Sequence, residues 1–132
     1  MTLDTKTRKK IVKHNIRKAH QAIEDSRILL ERESFTGALN RIYYSGFYII
    51  SALAIRFGFS TSKHSQLIGW FNKNFVKTSK VKKEIGRIIY KSFEQRMESD
   101  YNPLSKFTCE EIEEDLEKMR EVITSIEKLV KG

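Results

Sequence analysis

The sequence predicts an all-α fold, an up-and-down bundle of four long helices plus a short extra helix, with residues 1–132 forming a single domain. Three observations predict it. One proline and six glycines in 132 residues leave little punctuation, and the uninterrupted segments are too long for strands. Apolar residues recur at steps of three and four, the spacing of one helix face. Fourteen consecutive uncharged residues, Ile42 to Ile55, stand between Arg41 and Arg56 in a chain where 32% of residues are charged, which marks the one helix that must be buried.

The first helix is expected from about Thr5 to Glu33, with Ile16, Ala19, Ile23, Ser26 and Leu30 as a narrow inward stripe and Lys/Arg outside it. Ser34 is placed to cap the second helix, Phe35 to Phe57, and Gly58 supplies the positive φ that ends it. On a helical wheel Ile42, Tyr43, Gly46, Phe47, Ile50, Leu53 and Ala54 fill one arc of this helix. Asn40, Arg41, Tyr44, Tyr48 and Ser51 gather on the other side. After a loop from Phe59 to Lys63, a short third helix runs from about His64 to Phe75, anchored by Leu67, Ile68, Trp70, Phe71 and Phe75. A fourth covers Val81 to about Ser99, and Asn102-Pro103 breaks it. The fifth opens with a capping box, Thr108 and Glu111, and continues Ile112, Leu116, Met119, Ile123, Ile126, Val130.

Composition limits the function. The uncharged run is shorter than the roughly 20 residues a membrane span needs, and the basic start, Met1 to Lys10, has no apolar stretch behind it, so the expected setting is the cytoplasm. Cys109 is the only cysteine, which rules out an intrachain disulfide and a cysteine-based zinc site. No glycine-rich phosphate loop, serine elbow or paired-cysteine motif occurs, and neither metal nor cofactor is expected. The net charge of +8 is unevenly spread. Residues 1–20 hold seven cations against Asp4 (+6), Lys63 to Lys91 eight against Glu84 (+7), and Glu110 to Gly132 eight acids against four bases (−4). Such blocks fit nucleic acid, an anionic ligand, head-to-tail protein contact, or simply solvated faces.

One residue breaks the pattern. Val81, Ile85, Ile88, Ile89 and Ser92 define the apolar face of the fourth helix, and Arg96 falls in its middle. Spacing alone favours an arginine at the helix end that snorkels out and satisfies the last carbonyls. Turned inward it needs acceptors, Asp100 being nearest, and it then joins Arg41, Tyr44, Asp100 and Tyr101 in one cluster. His64, after Ser60-Thr61-Ser62-Lys63, reads either as a residue that caps or packs against Trp70 and the second helix or as a ligand-binding group. Tyr43, Phe47, Phe71, Phe75 and Phe93 read as core. His20 and Glu24 are at best half a metal site, and Glu94 and Glu98 read as a solvated salt-bridge face with Arg87 and Lys91.

Asn40-Arg41-Ile42-Tyr43-Tyr44-Ser45-Gly46-Phe47, then His64, Phe75-Val76-Lys77-Thr78, and Arg96 followed by Asp100-Tyr101, resemble the HEPN domain family. The resemblance is closest to its small stand-alone bacterial and archaeal branch, and it spans roughly Ala38 to Asn102. It implies a helical bundle that dimerises, acting with a minimal nucleotidyltransferase partner in a toxin–antitoxin-like module. It also implies binding of nucleotide or RNA phosphate, through Arg41, His64, Arg96 and nearby lysines, and the helix face that Asn40 and Arg41 share with Tyr44 and Tyr48 adds Asn40, Tyr44 and Tyr48 as ligand-binding candidates.

Many HEPN proteins are metal-independent ribonucleases that use an Arg with four to six residues before a His. Here the positional match is Arg96, followed by Met97, Glu98, Ser99, Asp100 and Tyr101, and no histidine follows His64. Arg8 and His14 have the spacing but lie in the first helix, in a basic run where such pairs arise by chance. The resemblance therefore places binding ahead of catalysis. If the protein is an endoribonuclease, the resemblance implies Arg96, Asp100 and Tyr101 as its catalytic residues, with His64 as another stand-in for the missing histidine. Tyr101 also matches the region where partner transferases of some family members adenylylate a tyrosine. The third alternative is a structural dimeric adaptor.

Overall fold

The computed structural model describes residues 4–102 and 104–132, and it is helical with no strand among them. Five helices follow in order: α1 (Thr5–Glu31), α2 (Phe35–Arg56), α3 (His64–Phe71), α4 (Lys83–Tyr101) and α5 (Cys109–Lys131). A π-turn, Asn72–Val76, extends α3 and closes with the Lys77 N–H on the Asn72 carbonyl at 2.8 Å. Pro103, the residue read as the breaker of α4, lies outside the described residues.

The uncharged run forms the middle of the bundle. α2 packs against α1, α3, α4 and α5, whereas α1 meets α5 across it. Ala38, Leu39, Ile42, Tyr43, Ile49, Ile50, Ala52, Leu53 and Ala54 of α2 are all buried, a wider arc than a surface helix needs. The inward stripe expected for α1 is buried as read, as is that of α5. Gly46 permits the tightest approach: a Cβ there would stand 2.9 Å from Met119 Cε and 3.0 Å from its Sδ. The chain directions alternate. Ser99 Oγ donates to Thr36 Oγ1 at 3.0 Å, which sets the end of α4 beside the start of α2.

The helix ends show which local signals worked. α1 and α2 stop with the same pair of bonds, Ser34 N–H to Leu29 O at 2.8 Å with Glu33 N–H to Leu30 O at 2.9 Å, and Phe59 N–H to Ala54 O at 2.8 Å with Gly58 N–H to Ile55 O at 3.1 Å. Gly58 has φ +84°, as expected, but the same left-handed position in α1 is held by Glu33 at φ +59°. That turn ends α1 at Glu31, two residues before the sequence reading. Ser34 stands at the start of α2 without a side-chain cap, correcting that expectation. Asp4 caps α1 instead, accepting from Thr7 N–H at 2.7 Å. The Thr108–Glu111 capping box is present in both directions.

Candidate functional site

α2 meets α3 and α4 at Tyr43, beside the edge of its polar face. This ring is buried because it belongs to the apolar arc, yet its hydroxyl must then find a partner. It does so at His64 Nδ1, 2.6 Å away, on the first turn of α3. Burial pushes the Tyr43 phenol well above its usual range, more than offsetting the charge of Arg96. His64 is held below the ordinary imidazole value by burial and then by Arg96. A neutral phenol is a stronger donor than a neutral imidazole, which favours the tautomer that accepts at Nδ1 and keeps its ring proton on Nε2. The His64 ring also lies on Phe47, centroids 4.1 Å apart, and edge-on to Tyr44 at 5.7 Å.

Arg96 approaches the same tyrosines from α4. Its guanidinium carbon is 5.0 Å from the Tyr43 ring centre and 5.6 Å from that of Tyr44, and its side chain is only 15% exposed. The expectation of an outward, snorkelling arginine is therefore corrected: aromatic faces from α2 draw the guanidinium inward by their negative quadrupole. Asp100 pairs with it at 3.4 Å, one turn along α4. On the other side, Arg41 lies 5.0 Å from the Tyr44 ring centre, held by Asn40 Oδ1, which accepts from its Nε at 3.1 Å and its second terminal nitrogen at 2.8 Å. Tyr44 thus touches two guanidinium groups. Tyr48 continues the row 5.8 Å away, with Lys18 Nζ of α1 4.4 Å from its ring centre.

Asn40, Arg41, Tyr44, Tyr48, His64, Arg96 and Asp100 are accordingly brought together. Tyr101 is not. It is 71% exposed and stands apart from the ring and guanidinium contacts of the cluster. The expected contact of His64 with Trp70 is also absent, since Trp70 stacks on Phe59 at 5.4 Å while His64 packs on α2. Glu94 and Glu98 make no ion pair with Arg87 or Lys91 among the described residues. Lys91 reaches across to Asp115 at 3.4 Å, and Glu98 accepts from Asn102 Nδ2 at 2.6 Å. His20 pairs with Glu127 at 2.6 Å and so does not look toward Glu24. Among the described residues, no three potential ligands gather as a metal site.

Sequence reasoning assigned Tyr43 to the core alone and missed its part in the site. The available signal was tyrosine where phenylalanine would pack equally well: a buried hydroxyl needs a partner. Lys18 gave no such signal, because nothing local to α1 indicates which face of α2 it will cover. Asp115, buried within the stripe of α5 with Oδ2 unpartnered among the described residues, was also missed.

The chain is thus a helical bundle whose second helix carries Asn-Arg-x-Tyr-Tyr, met by an inward arginine of the fourth. The sequence matches the HEPN domain over residues 12–129, and the chain belongs to that family. It is 40% identical over 123 residues to the "UPF0332 protein" of Thermotoga maritima, covering 93% of each chain. Two proteins of Methanocaldococcus jannaschii are also similar. "Putative toxin MJ0142" is 34% identical over 74% of this chain and 67% of its own, and "Putative toxin MJ0605" is 30% identical over 86% and 84%. Among the described residues no helix is long and apolar enough to cross a membrane.

Proposed function

We propose that this HEPN protein is the toxin-like member of a two-component module, a cytoplasmic homodimer acting with a minimal nucleotidyltransferase and binding nucleotide or RNA phosphate at the Tyr43–Tyr44 cluster. The observation that carries the reading is Tyr44 held against two guanidinium groups, Arg41 and Arg96. Two like charges converge there, with Asp100 the one acid paired to them among the described residues. His64, kept neutral by its surroundings, adds a hydrogen-bonding group without adding charge. An anion with several acceptor oxygens satisfies both arginines at once, and arginine's planar donors suit phosphate. The toxin names of the two archaeal relatives support the module. Met97, Tyr101 and Leu104, exposed along the end of α4 and beyond it, support a second copy on that side; Tyr101 is open to a modifying partner.

The test is titration with ATP, and with labelled RNA at about 50 to 200 mM salt, where phosphate binding weakens steeply. Arg96→Ala and Arg41→Ala are each expected to weaken both while the circular dichroism spectrum is kept. Unchanged binding in both variants refutes the site.

One observation favours a second reading, an endoribonuclease. His64 and Arg96 share Tyr43, at 5.6 and 5.0 Å from its ring centre, so the fold supplies from α3 a histidine that the motif on α4 lacks. In that reading Arg96 stabilises the phosphate and His64 exchanges the proton. RNA cleavage in the presence of a chelator, lost in both His64→Ala and Arg96→Ala, selects it; intact RNA after prolonged incubation excludes it.

A further inference from the structure

A row of cations outside this site lies on the other half of α4. Lys83, Arg87 and Lys91 stand at steps of four residues, their Cβ atoms roughly 5–6 Å apart along one ridge. Lys77, the residue after the π-turn, faces them across a groove of about 550 Å³ whose lining also includes Asn72, Val76, Gly86, Tyr90 and Glu94. Lys77, Lys83 and Arg87 have no acidic partner among the described residues, and Lys91 is shared with Asp115. Glu94 is the one acid of the lining, at the end toward Arg96.

The groove is set by close packing. A Cβ on Gly86 would stand 3.1 Å from Val76 Cγ2 and 3.2 Å from Asn72 Oδ1, so the π-turn rests directly on α4 and brings Lys77 to the ridge. Between the cations stands Tyr90, 53% exposed, an aromatic ring left in solvent although the bundle has a core to receive it. Cations repeating at a regular step with an open ring among them form the arrangement that tracks a charged backbone and stacks its bases. Three cations along the ridge, with Lys77 opposite, outrun a single nucleotide.

We infer that the groove between the π-turn and α4 is a single-stranded RNA path, in which Lys77, Lys83 and Arg87 hold successive phosphates and Tyr90 stacks a base. The inference rests on the reading of this protein as an RNA-phosphate binder and extends it to residues outside the Tyr43–Tyr44 cluster. Recognition here is of charge and base face and is tolerant of sequence.

The probe is a fluorescein-labelled, 2′-O-methylated oligoadenylate of about twelve nucleotides, which spans one such binding groove and resists cleavage by its own 2′-oxygen. Binding is read by fluorescence anisotropy over a salt series. Tyr90→Leu is expected to weaken it roughly 5- to 150-fold, the range of one lost base stack, and Tyr90→Phe to leave it near wild type. Arg87→Gln should weaken it and reduce the log–log salt slope by about 0.7, one phosphate contact on a single strand. The double variant Lys9→Gln/Lys13→Gln, on α1, should bind as wild type.

The inference is overturned if Tyr90→Leu binds normally, if the α1 variant loses as much as Arg87→Gln, or if wild type does not bind the probe. Loss in Arg96→Ala with normal binding in the Arg87 and Tyr90 variants overturns this path and keeps the Tyr43–Tyr44 site. The reverse pattern keeps the path and removes that site. The Lys9, Lys13, Arg87 and Tyr90 variants change exposed side chains, and the thermal melt of every variant, Arg96→Ala included, serves as its folding control.

Discussion

Replacing Arg96 by alanine separates a ligand-binding cluster from one that only braces the bundle. The guanidinium lies 5.0 and 5.6 Å from two tyrosine ring centres, and a partly desolvated cation on one ring contributes about 0.5–2 kcal/mol. One cation cannot be optimally placed over both rings, so the two contributions do not add in full. The pair with Asp100 at 3.4 Å, with side chains 15% and 25% exposed, adds about 0.2–1 kcal/mol.

Arg96→Ala is thus expected to cost about 1–3 kcal/mol of the roughly 5–15 kcal/mol typical of a folded domain. The variant stays folded at 25 °C while its melting temperature falls by roughly 3–12 °C. Urea unfolding followed by circular dichroism measures the loss, and a double-mutant cycle with Tyr44→Leu isolates the stacking. A coupling of about 0.5–2 kcal/mol is expected. A coupling near zero would refute the stacking argument. A loss above about 5 kcal/mol, enough to unfold a marginal domain, would show that the cluster is chiefly a brace.

Three other outcomes follow from the same geometry. The folded pKa of His64 lies below its unfolded value of 6.5, so its contribution to stability is fully present above 6.5 and is lost as pH falls through the depressed folded value; His64→Gln should remove that part of the pH slope in urea midpoints, and an unaltered slope would count against it. Gly46→Val should lower stability by about 1–3 kcal/mol through overpacking against Met119, and by less in a Met119→Ala background; equal losses in both would show that the contact is not the cause. Thr108→Ala should cost about 0.5–2 kcal/mol by opening the capping box of α5, measured by thermal melting, with a neutral result contradicting the cap.

Much of the fold was legible because it depends on periodicity. The stripe Ile16, Ala19, Ile23, Ser26, Leu30 and the run Ile42 to Ile55 specify buried faces whatever their partners are. The π-turn was not legible, since one extra residue between Asn72 and Val76 leaves no mark on an apolar pattern already rich in Phe71 and Phe75. Arg96 shows a second limit. Spacing located it on the inward face, but its environment is made by Tyr43 and Tyr44, about fifty residues earlier, and local reasoning sent it to solvent. The resemblance drew Asn40, Arg41, Tyr44, His64 and Arg96 into one set. It could not separate Asp100, which joins them, from Tyr101, which stands apart.

The bond from Tyr43 to His64 makes the cluster a property of the assembled bundle and of no single helix. His64 belongs to α3, Arg96 to α4, and Tyr43 on α2 is where both meet. A molecule gripping His64 and Arg96 together therefore has no counterpart to grip in the unfolded chain, and its binding energy appears in full as resistance to heat. At a hundred times its dissociation constant, such a ligand adds about 2.7 kcal/mol. A thermal-shift screen of nucleotides can then find the ligand before any activity is known, and Tyr43→Phe, which frees the imidazole, should blunt every hit.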